Sequence, residues 1–162
     1  MSIVPYEAAE TIRRKKAQYC RLADTNQWHL FPQIALPTAT FKFVEVYNDG
    51  APERVVHQNG VDFDWPSLEG FLGYFSATNK HVDAVHMVNA GELEMARGDG
   101  ASDGDEVKAV FTVVYHAGAP GRADGMHGTG AGHYHETWRR VDGDWFLERL
   151  WMRQFYWKVQ GV

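Results

Sequence analysis

The sequence predicts an α+β cone, a curved mixed or antiparallel β-sheet wrapped around N-terminal α-helices. Three observations predict it. Apolar residues recur at helical spacings in the first half of the chain, and after Asn79 long β-branched and aromatic segments alternate, divided by Gly and Asp clusters. No repeat, low-complexity tract or Pro/Gly/Ser linker divides the 162 residues, so the expectation is a single domain over 1–162. Helices first and a meander afterwards place the sheet over the helices, with none of the strand–helix alternation of a parallel sheet.

The elements follow in order. From Tyr6 to Ala23, Ile12, Tyr19, Cys20 and Ala23 share a helical phase, while the run Arg13-Arg14-Lys15-Lys16 spreads around the helix and reads as solvated surface. A short second helix carries Trp28, Leu30 and Phe31 ahead of Pro37, and Thr40 to Tyr47 reads as a strand. Asn48-Asp49-Gly50 supplies a turn, and Val55 to Val61 is either a return strand or an ordered loop. Trp65-Pro66-Ser67 opens a third helix through Phe75, with Leu68, Phe71, Leu72 and Phe75 three and four residues apart. Four antiparallel strands follow: His81 to Arg97, Glu106 to Ala117, Gly132 to Val141, and Trp145 to Lys158 after the tight Val141-Asp142-Gly143-Asp144 link. The Gly-rich stretch Gly118 to Gly132 exceeds what a hairpin needs, and a mobile flap at a pocket mouth is expected there.

Composition narrows the function. Six Trp, seven Tyr and nine Phe can line a pocket with flat apolar surface, which suits a small apolar or aromatic, ring-containing substrate. A net charge of −5 supplies no basic field, so nucleic acid is not an expected partner. The absence of a signal peptide pattern or an apolar run of membrane-spanning length makes the cytoplasm the expected compartment and a membrane no expected partner. The single Cys20 reads as core packing.

Two residues stand out chemically, each open to two readings. Asp24 continues the face of Ala17 and Cys20, either as a cap for the next helix or as a buried carboxylate that orients a histidine. His86 lies mid-strand in Val82-Asp83-Ala84-Val85-His86-Met87-Val88, either as a satisfied core or surface residue or as the side chain best matched to moving a proton near neutral pH.

The run from Tyr19 to Trp28 (Tyr-Cys-Arg-Leu-Ala-Asp-Thr-Asn-Gln-Trp), the strand His86-Met87-Val88-Asn89-Ala90-Gly91 and the segment from Gly132 to Trp145 resemble scytalone dehydratase and its SnoaL-like relatives over most of the chain. The resemblance implies that Asp24 and His86 form that family's catalytic dyad. It implies a cofactor-independent lyase, a dehydratase acting on a hydroxylated cyclic ketone or polyketide-like secondary metabolite, with an isomerase or cyclase as the runner-up and a non-catalytic ligand-binding or association domain as a third possibility. It also implies a homodimer or homotrimer, in keeping with the aromatic run Trp151 to Trp157. Two tyrosines of the family are matched here by Ala23 and Phe43, which donate no hydrogen bond. Tyr134 and Tyr115 are the candidate replacement donors.

The pocket so implied takes Tyr19, Trp28, Phe43 and Phe71 from the first half of the chain, and Val88, Val113, Glu136, Trp138 and Leu150 from the strands. Glu136 is a second acid or a partner of Arg139, Arg149 or Arg153. No metal is expected: His133 and His135 lie opposite Tyr134 by strand parity, and His127 and Glu136 complete no ligand set. His116 falls one residue from the place of the family's second histidine, and a one-residue offset turns it to the opposite face.

Overall fold

A computed structural model describes residues 3–47, 49–96, 104–121 and 125–161. Asn48 of the expected turn, Arg97 at the end of an expected strand and residues 122–124 of the Gly-rich stretch lie outside them. Helix α1 spans Tyr6–Asp24 and is followed by a 3-10 turn, Trp28–Gln33. Strand β1 (Ala35–Glu45) leads to four two-residue strands: β2 (Arg54–Val55), β3 (His57–Gln58), β4 (Val61–Asp62) and β5 (Asp64–Trp65). Helix α2 (Leu68–Thr78) precedes β6 (Asp83–Val88), β7 (Glu92–Met95), β8 (Glu106–Gly118), β9 (His127–Val141) and β10 (Asp144–Gln160).

Eight strands form one curved sheet in the order β2-β1-β10-β9-β8-β6, with β5 also paired to β1 and β7 to β8, while β3 and β4 make a separate ribbon. Among the described residues only the β1–β10 pairing is parallel. Strand β10 carries irregularities at Glu148 and Phe155, where its register against β9 slips by one residue, and such bulges bend a strand. The β9–β10 hairpin turns through Asp142 and Gly143, both at positive φ (50° and 86°), the backbone a two-residue type I′ turn requires.

The expected elements are present with four corrections. The segment His81 to Arg97 is two strands: the Asn89 side-chain oxygen accepts from the amides of Gly91 and Thr112, replacing ladder bonds and breaking the strand. Nearly half of the Gly-rich stretch is sheet, since β8 runs to Gly118 and β9 begins at His127 and pairs back to Gly118, which confines the expected flap to the segment between them. Val55 to Val61 contributes pieces of three short strands where one return strand or loop was expected. Strand β1 starts at Ala35, and Pro37 falls where its register against β10 shifts, a place that needs no ladder donor.

The helices pack into the concave face of the sheet. Ile12, Tyr19, Cys20 and Leu22 of α1 and Leu68 and Phe71 of α2 are buried against Phe41, Phe111, Trp138 and Leu147. The Ser67 hydroxyl caps α2 by accepting from the Gly70 amide, as a helix opening at Trp65-Pro66-Ser67 requires. The Phe71 ring stacks on Phe41 at 4.0 Å, which locks α2 to β1.

Candidate active site

The end of α1 and the middle of β6 meet at Asp24 and His86. Asp24 Oδ1 lies 2.5 Å from His86 Nδ1, and Asp24 Oδ2 accepts from the His86 backbone amide at 3.1 Å. Both carboxylate oxygens are therefore spent on one residue, and the helix-cap reading of Asp24 is excluded. Accepting from Nδ1–H fixes the imidazole tautomer and leaves Nε2 as the ring's basic nitrogen. Asn26 holds this junction: at φ 55° it turns its side chain so that Nδ2 donates to the Val82 carbonyl at the start of β6 while Oδ1 accepts from the Trp28 indole. The two side chains are 15% and 19% exposed, shielded enough to strengthen their attraction and open enough for His86 to reach a ligand.

His86 forms part of the wall of a cavity of about 510 Å³. Trp28, Phe43, Phe63, Phe71 and Phe75 supply aromatic walls, Tyr19, Tyr134 and Met152 lie deeper, and Tyr115, Gln154 and Trp157 face in from the sheet. Tyr115 stacks on His86 at 5.3 Å and on Trp157 at 5.6 Å, forming a slab of three nearly parallel rings. The glycines of β9 make room for it: a Cβ at Gly130 would lie 2.2 Å from the Tyr115 ring, and one at Gly128 2.1 Å from Trp157. The alternation Gly128, Gly130, Gly132 on the inner face of β9 is thus a cavity-forming pattern.

The sequence-derived candidates divide between this cavity and the core. Tyr19, Trp28, Phe43, Phe71, Tyr115 and Tyr134 line the cavity with His86. Val113, Glu136, Trp138 and Leu150 do not; they are 3% exposed or less, packed in the core. Val88 faces a groove between α1 and β6 on the other side of the dyad. Tyr134 has a hydroxyl with no hydrogen-bond partner among the described residues, and burial pushes its pKa well up, so it stays protonated as a donor. Tyr115 is different, because its proton is already given to Gln154 Oε1 at 2.7 Å.

Glu136 and Lys16 overturn two expectations together. Glu136 pairs with none of Arg139, Arg149 or Arg153; its Oε1 takes a 2.6 Å bond from Lys16 Nζ and its Oε2 accepts from the Trp138 indole. Lys16, read as solvated surface, is 1% exposed, and its ammonium lies over the faces of Tyr134 and Tyr19 at 3.5 and 4.2 Å. The signal was present, because Lys16 sits in phase between Ile12 and Tyr19 on the buried stripe, whereas Ala17 is exposed.

Other residues facing the cavity were not anticipated. Gln154 shares the inner parity of Met152, and His57, bonded to Asp62 across the β3–β4 ribbon at 2.7 Å, is a second imidazole–carboxylate pair on an exposed rim. His116, His133 and His135 lie on the other face of the sheet, as parity requires: His116 bonds Thr129, His133 packs edge-on to Phe155, and His135 lies against Trp151. Among the described residues no group of three His, Cys, Asp or Glu side chains is arranged to hold a metal ion.

Comparison with known proteins agrees with this architecture. A Gibberella zeae protein named Probable cyclase FGR4 is 43% identical over 162 residues, covering all of both chains. A Novosphingobium aromaticivorans protein provisionally described as a scytalone dehydratase superposes with a TM-score of 0.66 at 15% identity, covering 94% of this chain and 87% of that one. Naphthalene 1,2-dioxygenase superposes with a TM-score of 0.70 at 10% identity over 95% and 82% of the two chains, a likeness of fold alone. The model of the SnoaL-like domain matches residues 5–150, and the chain belongs to that family.

Proposed function

We propose that the protein is a cofactor-independent acid–base enzyme that removes a proton from an apolar cyclic substrate and directs the resulting enolate into ring closure. The observation that carries the reading is the Asp24–His86 pair set into the wall of an aromatic cavity. His86 Nε2 takes the proton from the carbon beside a carbonyl, and Asp24 holds the ring and stabilises the imidazolium that forms. Tyr134, a protonated phenol in the cavity lining, donates to the second oxygen, the one that takes up negative charge as the ring closes. The enolate carbon then adds to a second carbonyl carbon of the same molecule, the C=O π bond there opens onto its oxygen, and the imidazolium returns its proton to that oxygen, so no atom is lost.

Ring closure is favoured over loss of water because the relative named a cyclase shares 43% identity over the whole chain, whereas the scytalone dehydratase-like structure shares 15%. Dehydration uses the same base, with the imidazolium protonating a departing hydroxide, and it is the second reading. Product mass separates them, being unchanged on cyclisation and lower by one water on elimination. His86→Ala is expected to retain the folded spectrum and lose turnover; a variant with full activity would remove the proposal.

A further inference from the structure

Gln154 is a polar group of the cavity that the proton transfer does not use. Gln154 stands on β10 opposite Gly132, immediately before the bulge at Phe155, and its side chain faces the cavity. The Gly132 position leaves no side chain across from it, since a Cβ there would lie 2.1 Å from the Arg153 carbonyl oxygen. Its Oε1 accepts the Tyr115 hydroxyl proton at 2.7 Å, and Tyr115 is clamped between the rings of His86 and Trp157. Burial keeps the Tyr115 hydroxyl protonated far above neutral pH, so it stays a donor and the carboxamide stays oriented with its oxygen toward Tyr115. The Nε2 group then has no protein partner among the described residues, and two N–H donors are left for a ligand. The single ring of Tyr115 links this amide to His86.

We propose that Gln154 is the carbonyl-binding residue of the cavity, its amide presenting N–H donors to the ketone or enolate oxygen of the ring substrate while His86 works on the adjacent carbon. Tyr115 is a positioning residue that acts through Gln154. The assignment rests on the reading of His86 as the base, and it names what stands in for the donors that Ala23 and Phe43 lack. A neutral amide suits this place, because it stabilises an enolate oxygen without adding a charge that would compete with the Asp24–His86 pair.

The bicyclic ketone 1-tetralone and its oxygen-free counterpart tetralin test the assignment as two probes of nearly equal shape. Binding is read by titration calorimetry, and exchange of the protons beside the ketone in deuterated water is read by NMR. The wild type is expected to prefer the ketone by about tenfold, the worth of one net hydrogen bond, and Gln154→Leu to lose that preference while binding tetralin unchanged. Gln154→Glu, which keeps the shape and replaces donors with acceptors, is expected to lose the preference as well, and Tyr115→Phe to weaken it. His86→Ala is expected to keep the preference and lose the exchange. A preference that survives in both Gln154 variants overturns the assignment, as does a wild type with no preference. Wild-type exchange no faster than that of His86→Ala, with the preference still dependent on Gln154, supports the subsite and refutes the proton chemistry instead.

Discussion

Asp24 holds His86 twice, through the ring nitrogen Nδ1 and through the backbone amide of the same residue. The second bond ties the carboxylate to the strand as well as to the side chain, so the imidazole is aimed by the sheet. Asp24→Asn preserves the shape and can keep the backbone bond, but its amide no longer demands a proton on Nδ1. The expected result is a fall in kcat of about 10²–10⁴-fold with little change in KM or melting temperature. Steady-state kinetics beside thermal denaturation checks this, and an equal loss of stability and activity would assign Asp24 to structure alone.

How much of this was legible in the sequence depended on whether a residue's face could be counted. Helical spacing placed Tyr19 inside, and strand parity placed Tyr115 and Tyr134 inside and His133 and His135 on the opposite face. The dyad was legible only through resemblance, because Asp24 and His86 taken singly fit ordinary structural roles. Gln154 was missed among aromatic neighbours, and counting by twos beyond it fails because Phe155 is an extra residue: Trp157 faces the cavity, where an unbroken strand would turn Tyr156 inward. Lys16 was missed because four consecutive basic residues were read as a charge run, although its helical phase matches Ile12 and Tyr19.

Lys16 and Glu136 are 1% and 0% exposed at their side chains, and neither has water to turn to if the other is removed. Breaking a buried pair strands a charge, and Lys16→Met alone is expected to cost about 3–5 kcal/mol. Lys16→Met combined with Glu136→Leu leaves no charge unpaired and is expected to recover most of that loss. Urea denaturation of the two single variants and the double variant measures the coupling, and additive losses would show that the two side chains act independently.

The β9 glycines separate a stability role from a site role. A Cβ at Gly132 would meet the Arg153 carbonyl oxygen at 2.1 Å, and a paired backbone cannot step aside without opening the β9–β10 ladder. A Cβ at Gly130 would first meet the Tyr115 ring, which can swing but then releases Gln154. Gly130→Ala is therefore expected to cost about 1–3 kcal/mol and most of the activity, with Gly132→Ala costing more stability than that range. Melting temperatures and turnover of the two variants test the ordering; an active, stable Gly132→Ala would contradict the packing argument.

His135 gives the fold a pH dependence of known sign. Its Nε2 is buried with no hydrogen-bond partner among the described residues, and its pKa lies below the ordinary 6.5 because burial disfavours the charged ring, with Arg153 and His133 adding to the effect against Glu53. The unfolded chain takes up a proton that the folded chain refuses, so stability is lost as pH falls from the unfolded value toward the folded one. His135→Leu removes both the refused proton and the unpaired nitrogen. It is expected to be at least as stable as the wild type near neutral pH, and to lose less stability between about pH 7.5 and 5.5, the range in which an ordinary imidazole charges. Denaturation midpoints of both proteins across that range decide it: parallel curves would mean that His135 takes up its proton equally in the folded and unfolded chain.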